Sequence, residues 1–222
     1  MNIFLCGGGD GAQVTAAYRR LSEVIDRTKP CLYIPLAMEP HLYDGCLDWI
    51  TAELAPLALP GIDMVRSAED LAARELDRYS FLFLGGGNTF RLLYELKRTA
   101  AFAHIRTYLT AAGGTVFGGS AGAIVFGYDL SACRLDDENT VSLTDTKGFD
   151  VLCGASLLCH YTNRAPEKIA RSRAYLSMLS KAEHRRIYAL PEELTLFVHD
   201  GETEVLGDGV YSVFEEGEER RQ

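Results

Sequence analysis

Short apolar runs alternate along this chain with longer stretches in which apolar residues recur every three or four positions. Residues 2–6 have the length and composition of a buried strand and stop at Gly7-Gly8-Gly9, after which residues 12–25 carry helical spacing. Residues 31–35 predict a second strand, 42–54 a second helix and 62–65 a weaker strand. Residues 81–84 form the sharpest strand signal and run directly into Gly85-Gly86-Gly87-Asn88; helices are predicted at 89–97 and 101–112. Residues 115–117 then form a strand that turns through Gly118-Gly119-Ser120-Ala121-Gly122. Repetition of strand, glycine turn and helix predicts an α/β fold, a three-layer, mostly parallel sheet with helices on both faces. Right-handed crossovers place the glycine turns together at the carboxyl edge of that sheet, where ligands bind.

Beyond residue 129 the pattern loosens. Residues 134–150 are polar and acidic and read as a surface excursion. Residues 155–159 predict a strand ending in His160, and 166–180 a helix with Pro166 in its first turn. Residues 194–214 read as short strands broken at Asp200-Gly201 and Asp208-Gly209, giving a small C-terminal β-hairpin region. Residues 215–222 read as a solvated, charged tail. With no repeat or linker, residues 1–222 are expected to form one domain.

The formal charge of −9 argues against nonspecific binding to nucleic acid or anionic membrane, both of which need a basic surface. No apolar run approaches the roughly 20 residues of a membrane span, and residues 1–6 lack the basic start and length of a signal peptide. The six cysteines form no Cys-x-x-Cys pair and fit free thiols in a reducing compartment, so a cytoplasmic protein without a disulfide framework or zinc site is expected.

Gly118-Gly119-Ser120-Ala121-Gly122 fits G-x-S-x-G between a predicted strand and helix. Such a turn lifts the central hydroxyl above the sheet edge, making Ser120 a candidate nucleophile with the Ala121 N–H as an oxyanion donor. The plain alternative is a tight turn with a serine N-cap. Serine needs a base. His160, at a predicted strand end, is the first candidate and His199 the competitor, while His41, His104 and His184 read as surface residues. A carboxylate must fix the imidazole; Glu192 follows an apolar run, with Glu193 and Asp136-Asp137-Glu138 as alternatives. Gly86 or Gly87 can donate the second oxyanion hydrogen bond, against a plain loop in which Asn88 caps the next helix. Gly7-Gly8-Gly9-Asp10-Gly11-Ala12 satisfies a dinucleotide-binding spacing, but no acid ends the second strand to hold a ribose. The other account of these glycines is a turn that passes close to the active-site edge. A protein of this fold without catalytic activity is the third alternative.

Phe83-Leu84-Gly85-Gly86-Gly87-Asn88-Thr89-Phe90, Gly118-Gly119-Ser120-Ala121-Gly122-Ala123, His160-Tyr161 and Leu190-Pro191-Glu192, in this order, resemble the peptidase E family of serine peptidases. These are the aspartyl dipeptidases, related to the cyanophycinases. The resemblance implies a class I glutamine amidotransferase-like fold, Ser120 as nucleophile, His160 as base and Glu192 as its acidic partner. It also implies short peptide substrates, no metal or other cofactor, and a monomer or homodimer. Release of N-terminal aspartate would need a cation, for which Arg164, Arg171 and Arg173 are candidates, with Asn88 as a further substrate contact. The chain departs from the family where a Glu-Thr-Arg-like segment is usual, having Tyr161-Thr162-Asn163-Arg164-Ala165-Pro166-Glu167-Lys168 instead. Arg134-Leu135-Asp136-Asp137-Glu138-Asn139 likewise replaces a Thr-Asn-Asp-rich stretch. The acyl-transfer chemistry is therefore expected to carry over better than the aspartate preference.

Overall fold

The apolar runs of the first half form β1 (Asn2–Cys6), β2 (Cys31–Ile34), β3 (Ile62–Met64), β4 (Phe81–Leu84) and β5 (Thr115–Gly119) in a computed structural model that describes residues 1–222. The second half adds β6 (Ser156–Leu158), β7 (Ile187–Ala189), β8 (Thr195–His199), β9 (Glu202–Leu206), β10 (Ser212–Glu215) and β11 (Glu218–Arg221). Helices α1 (Thr15–Val24), α2 (Tyr43–Glu53), α3 (Ala68–Ala73), α4 (Thr89–Lys97) and α5 (Ala101–Ala111) connect the first strands. They are followed by the single turn α6 (Ala121–Ile124) and by α7 (Pro166–Ala182).

Seven strands make one sheet in the order β3-β2-β4-β5-β1-β8-β9. The first five pair in parallel, and β8 and β9 continue the β1 side antiparallel. β2 and β4 are buried at every position, as expected for parallel strands covered on both faces; this is why their sequences are continuously apolar rather than alternating. Right-handed connections put α1 and α2 on one face and α3, α4 and α5 on the other, where α3 and α4 both pack on α5.

Register across this sheet lines up one aromatic row. Tyr33 pairs with Phe83, Phe83 with Phe117, Phe117 with Phe4 and Phe4 with Phe197. Neighbouring ring centroids along it are 5.9, 5.0, 5.8 and 4.3 Å apart. Tyr18 of α1 and Trp49 of α2 pack on the same row, against Phe117 and Phe83. Such pairs contribute about 0.5–1.5 kcal/mol each beyond the area they bury, so the row fixes register as well as filling the core.

The second half departs from the sequence expectation in three places. The strand before His160 does not join the main sheet; β6 pairs with β7 in a separate four-stranded sheet, β11-β10-β7-β6. Asp200-Gly201 joins β8 to β9, both residues having positive φ, but Asp208-Gly209 is not a hairpin turn, because it carries the chain from β9 into β10 of the other sheet. The segment expected to be a solvated tail contains β11, which pairs with β10. Its Glu219 carboxylate accepts hydrogen bonds from Tyr161 (3.1 Å) and Ser212 (2.6 Å) and pairs with Arg173 (2.7 Å), and these partners hold a charged strand that its own sequence does not. No helix is long and apolar enough to cross a membrane.

Candidate active site

The strand order puts β5 between β4 and β1, so the three glycine turns that end these strands lie side by side. Ser120, just past β5, has φ 51° and ψ −112°, a conformation a residue with a Cβ rarely adopts. Its N–H donates to the Cys6 carbonyl at 3.2 Å, and its own carbonyl accepts from the Ala123 and Ile124 N–H groups at 2.8 and 3.0 Å. Bonds on both sides over-determine the strained residue. Gly122 permits the tight turn, since a Cβ there would stand 2.1 Å from the Leu84 carbonyl oxygen.

His160 and Glu192 arrive from the other sheet. The parallel ladder of β6 and β7 continues one step, Leu190 N–H donating to Leu158 and Tyr161 N–H to Leu190, so the two residues leave adjacent strands at the same level. His160 turns out of β6 with φ 56°, and its N–H donates to the Gly7 carbonyl at 2.9 Å. The ring lies on Gly8, where a Cβ would be 2.1 Å from Cε1. The Gly9 N–H in turn donates to the Glu192 carbonyl at 3.1 Å. The first glycine turn is thus a seat for the histidine and its acidic partner, and the dinucleotide reading of its spacing fails because that partner segment occupies it.

His160 Nε2 is 2.8 Å from Ser120 Oγ, and His160 Nδ1 is 2.8 Å from Glu192 Oε1. An ionised carboxylate only accepts, so Nδ1 carries the ring proton and Nε2 is left to accept from the serine hydroxyl. Gln13 Nε2 donates to Glu192 Oε2 at 3.2 Å, and the Glu192 N–H donates to Asn163 Oδ1 at 2.8 Å. The alternatives are engaged elsewhere. Asp136 pairs with Arg164, Asp137 accepts from the Thr89 N–H at 2.8 Å, and Glu193 accepts from Asn163 at 3.3 Å. Glu138 borders a different cavity from Ser120 and His160, and its backbone carbonyl accepts from Asn88. His199 pairs in register with Asn2, at the opposite edge of the sheet from Ser120. Cys6 borders the same cavity, but burial pushes its thiol pKa up, so it remains protonated.

Gly86 flanks the serine; a Cβ on it would be 3.5 Å from Ser120 Cβ. Neither the Gly86 nor the Gly87 N–H donates to a protein acceptor, and Ala121 is the first residue of α6, whose N–H has no partner within the helix. These three N–H groups, on turns that flank Ser120, therefore have no protein acceptor.

Four expected substrate contacts are not brought to the site. Asn88 caps α4, its Oδ1 accepting from the Arg91 N–H at 2.9 Å while its amide donates to the Glu138 carbonyl at 2.8 Å. Arg164 donates to the carbonyls of His160 (2.6 Å) and Cys159 (2.8 Å) and to both Asp136 oxygens (2.8 Å), so its guanidinium is fully used in holding the histidine loop. Arg171 is exposed on α7 and Arg173 pairs with Glu219; neither lines the cavity. What does line it, together with Ser120, Gly86, Gly87 and His160, is the open end of the aromatic row: Tyr33, Phe83 and Phe117, with Tyr18, Trp49 and Met38. The cavity measures about 530 Å³. Sequence reasoning missed these side chains because an aromatic residue in an apolar strand looks the same whether it faces a helix or a cavity. It missed Gln13, in a helical turn, and Asn163, in a loop, because a single polar residue carries no pattern.

Relatives agree with this geometry at the level of fold and family. Residues 3–206 match the model of peptidase family S51. Peptidase E of Salmonella newport (strain SL254) is 28% identical over 204 residues, covering 90% of this chain and 86% of its own. Peptidase E of Salmonella typhi is equally similar at 28% over 204 residues. A solved Listeria monocytogenes EGD-e structure named for peptidase E superposes with a TM-score of 0.71 at 23% identity, covering 94% of this chain and 98% of its own. A peptidase from an acI-B1 Actinobacterium gives a TM-score of 0.71 at 18% identity, covering 100% and 93%. The family match spans both sheets up to the end of β9, and with it every residue of the serine, histidine and glutamate arrangement; the chain belongs to peptidase family S51.

Proposed function

We propose that this protein is a serine peptidase that hydrolyses short peptides through an acyl-enzyme. The observation that carries the reading is the continuous relay from Ser120 Oγ to His160 Nε2 and from His160 Nδ1 to Glu192, both links at 2.8 Å, on a serine held at φ 51°. Ser120 Oγ attacks the scissile carbonyl carbon while its proton passes to His160 Nε2. The carbonyl oxygen, now an anion, accepts from the Ala121 N–H and from Gly86 or Gly87. Collapse of the tetrahedral centre breaks the C–N bond, and His160 gives its proton to the departing amine. Water then attacks the ester, its proton goes to His160, and the C–O bond to Ser120 breaks with return of that proton to Oγ. Glu192 stabilises the imidazolium in both halves.

Membership of peptidase family S51 and relatives named peptidase E support peptide bonds as the target. The aspartyl dipeptidase activity implied by the sequence resemblance has weaker support, since no arginine or lysine lines the cavity. A fluorophosphonate probe tests the proposal. It is expected to label the wild type and not Ser120→Ala, and the variant should lose at least about 1,000-fold in dipeptide turnover. Equal labelling of both proteins would remove Ser120 from the mechanism.

A further inference from the structure

The cavity beside Ser120 has walls whose chemistry is unlike a receptor for a carboxylate. Tyr33, Phe83, Phe117, Tyr18, Trp49 and Met38 are among its lining residues. None of its lining residues is lysine or arginine, and its only carboxylate, Asp10, forms no ion pair. An acidic side chain entering here would lose its hydration without gaining a cation, and would also be repelled by Asp10.

The sheet order says which part of a peptide this cavity meets. His160 rests on Gly8, at the β1 side of Ser120. Gly86, Phe83 and Tyr33 belong to or follow β4 and β2, on the opposite side, and Trp49 and Met38 come from the connection after β2. The leaving amine must receive its proton from His160 and so departs on the β1 side. The acyl half of the substrate then lies on the β4 and β2 side, over the Tyr33 and Phe83 end of the aromatic row. We propose that the cavity is the specificity pocket for the residue N-terminal to the cleaved bond, and that it takes an uncharged aromatic or large aliphatic side chain rather than aspartate. This rests on the serine peptidase reading for its turnover consequences, but not for binding.

Trp49 is the chain's single tryptophan, so its fluorescence reports occupancy of the cavity directly. In Ser120→Ala, Phe-Ala and Leu-Ala should change the emission saturably, while Asp-Ala should bind about 100-fold more weakly. Gly45 lines the same cavity on α2, and a Cβ there meets no atom within 4 Å. The double variant Gly45→Phe, Ser120→Ala should therefore fill the space and remove the Phe-Ala response. Its melting temperature should be unchanged or higher, because glycine is the poorer helix residue. In the wild type, kcat/KM should fall in the order Phe-Ala, Ala-Phe, Asp-Ala, with about 100-fold between the first and last. The proposal is overturned if Asp-Ala binds Ser120→Ala as tightly as Phe-Ala, if Gly45→Phe leaves the Phe-Ala response intact, or if Ala-Phe is preferred to Phe-Ala. Saturable Phe-Ala binding without wild-type turnover or probe labelling would instead sink the peptidase reading and leave the pocket assignment standing.

Discussion

Ser120 keeps its left-handed backbone because hydrogen bonds to Cys6, Ala123 and Ile124 leave it no relaxed alternative, and the same logic of crowded contacts runs through its partners. The His160 ring is fixed from three directions: Ser120 on Nε2, Glu192 on Nδ1 and the bare backbone of Gly8 beneath. Gly8→Ala is the sharpest local test. Its methyl would stand 2.1 Å from Cε1 at a position with φ +113°, so the ring has to leave. Turnover is expected to fall at least about 100-fold, and the His160 ring resonances in an NMR titration should shift. A variant with wild-type kcat would mean that the ring position is not set by the glycine. Glu192→Gln keeps the shape but can present an amide donor to Nδ1, favouring the wrong tautomer; a loss of about 1,000- to 10,000-fold in kcat with little change in KM is expected from steady-state kinetics.

At the scale of elements, the site is a junction between two sheets. β5 delivers the nucleophile, while β6 and β7 deliver the base and its carboxylate, and the first glycine turn joins them. Arg164 is the positioning residue of this junction, since its guanidinium holds the carbonyls of Cys159 and His160 and ties them to Asp136. Arg164→Ala leaves two carbonyls without donors, each a loss of about 1–3 kcal/mol. The expected signature is a lower melting temperature together with a fall in kcat, KM changing little because Arg164 does not line the cavity. Arg164→Lys should restore part of the stability but less of the turnover, because one ammonium cannot reproduce the planar fork. A rise in KM for Asp-Xaa peptides alone would instead make Arg164 a substrate contact. Sequence reasoning reached His160 through an argument only half right: the strand end was real, the sheet was the other one. Pairing partners of a three-residue strand are not encoded in its own side chains, and β6 is no longer than that.

At the scale of the whole molecule, a half-buried polar hub ties the segment after α6 to β6 and the start of β7 in the second sheet. Asp129 accepts from the Ser131 N–H (3.1 Å) and hydroxyl (2.6 Å), from the Ser156 hydroxyl (2.9 Å), and pairs with Arg185 at 2.6 Å. The Arg185 guanidinium also lies 4.0 Å from the Tyr128 ring centroid. Burial pushes the Asp129 carboxyl pKa upward, but hydrogen bonds from Ser131, Arg185 and Ser156 outweigh it and hold the group below the usual carboxylate range. A pKa lowered on folding means the native state favours the ionised form. The stabilisation is complete above the unfolded value of about 3.9 and is lost as pH falls through the lower folded value. Asp129→Asn should therefore cost about 3 kcal/mol near neutral pH, or roughly 10 °C in melting temperature, with the gap narrowing below about pH 4. Calorimetry at several pH values checks this; a gap independent of pH would assign the loss to packing rather than charge.

The local alternation of apolar runs and glycine turns was enough to determine the five parallel strands, the face-to-face helices and the serine turn, because strand length, helical spacing and a positive-φ glycine bend are properties of neighbours in the chain. Ser120 was legible for the same reason. Local pattern left Glu192 open against Glu193 and Asp136-Asp137-Glu138, and only the family resemblance pointed to it before the packing did; discarding Arg164 and Asn88 as substrate contacts and turning part of a buried aromatic row into a cavity wall were decided by tertiary structure alone. Those outcomes depend on which carboxylate, guanidinium or ring is left without a partner once every other group has found one, and that is a property of the packed molecule rather than of any segment.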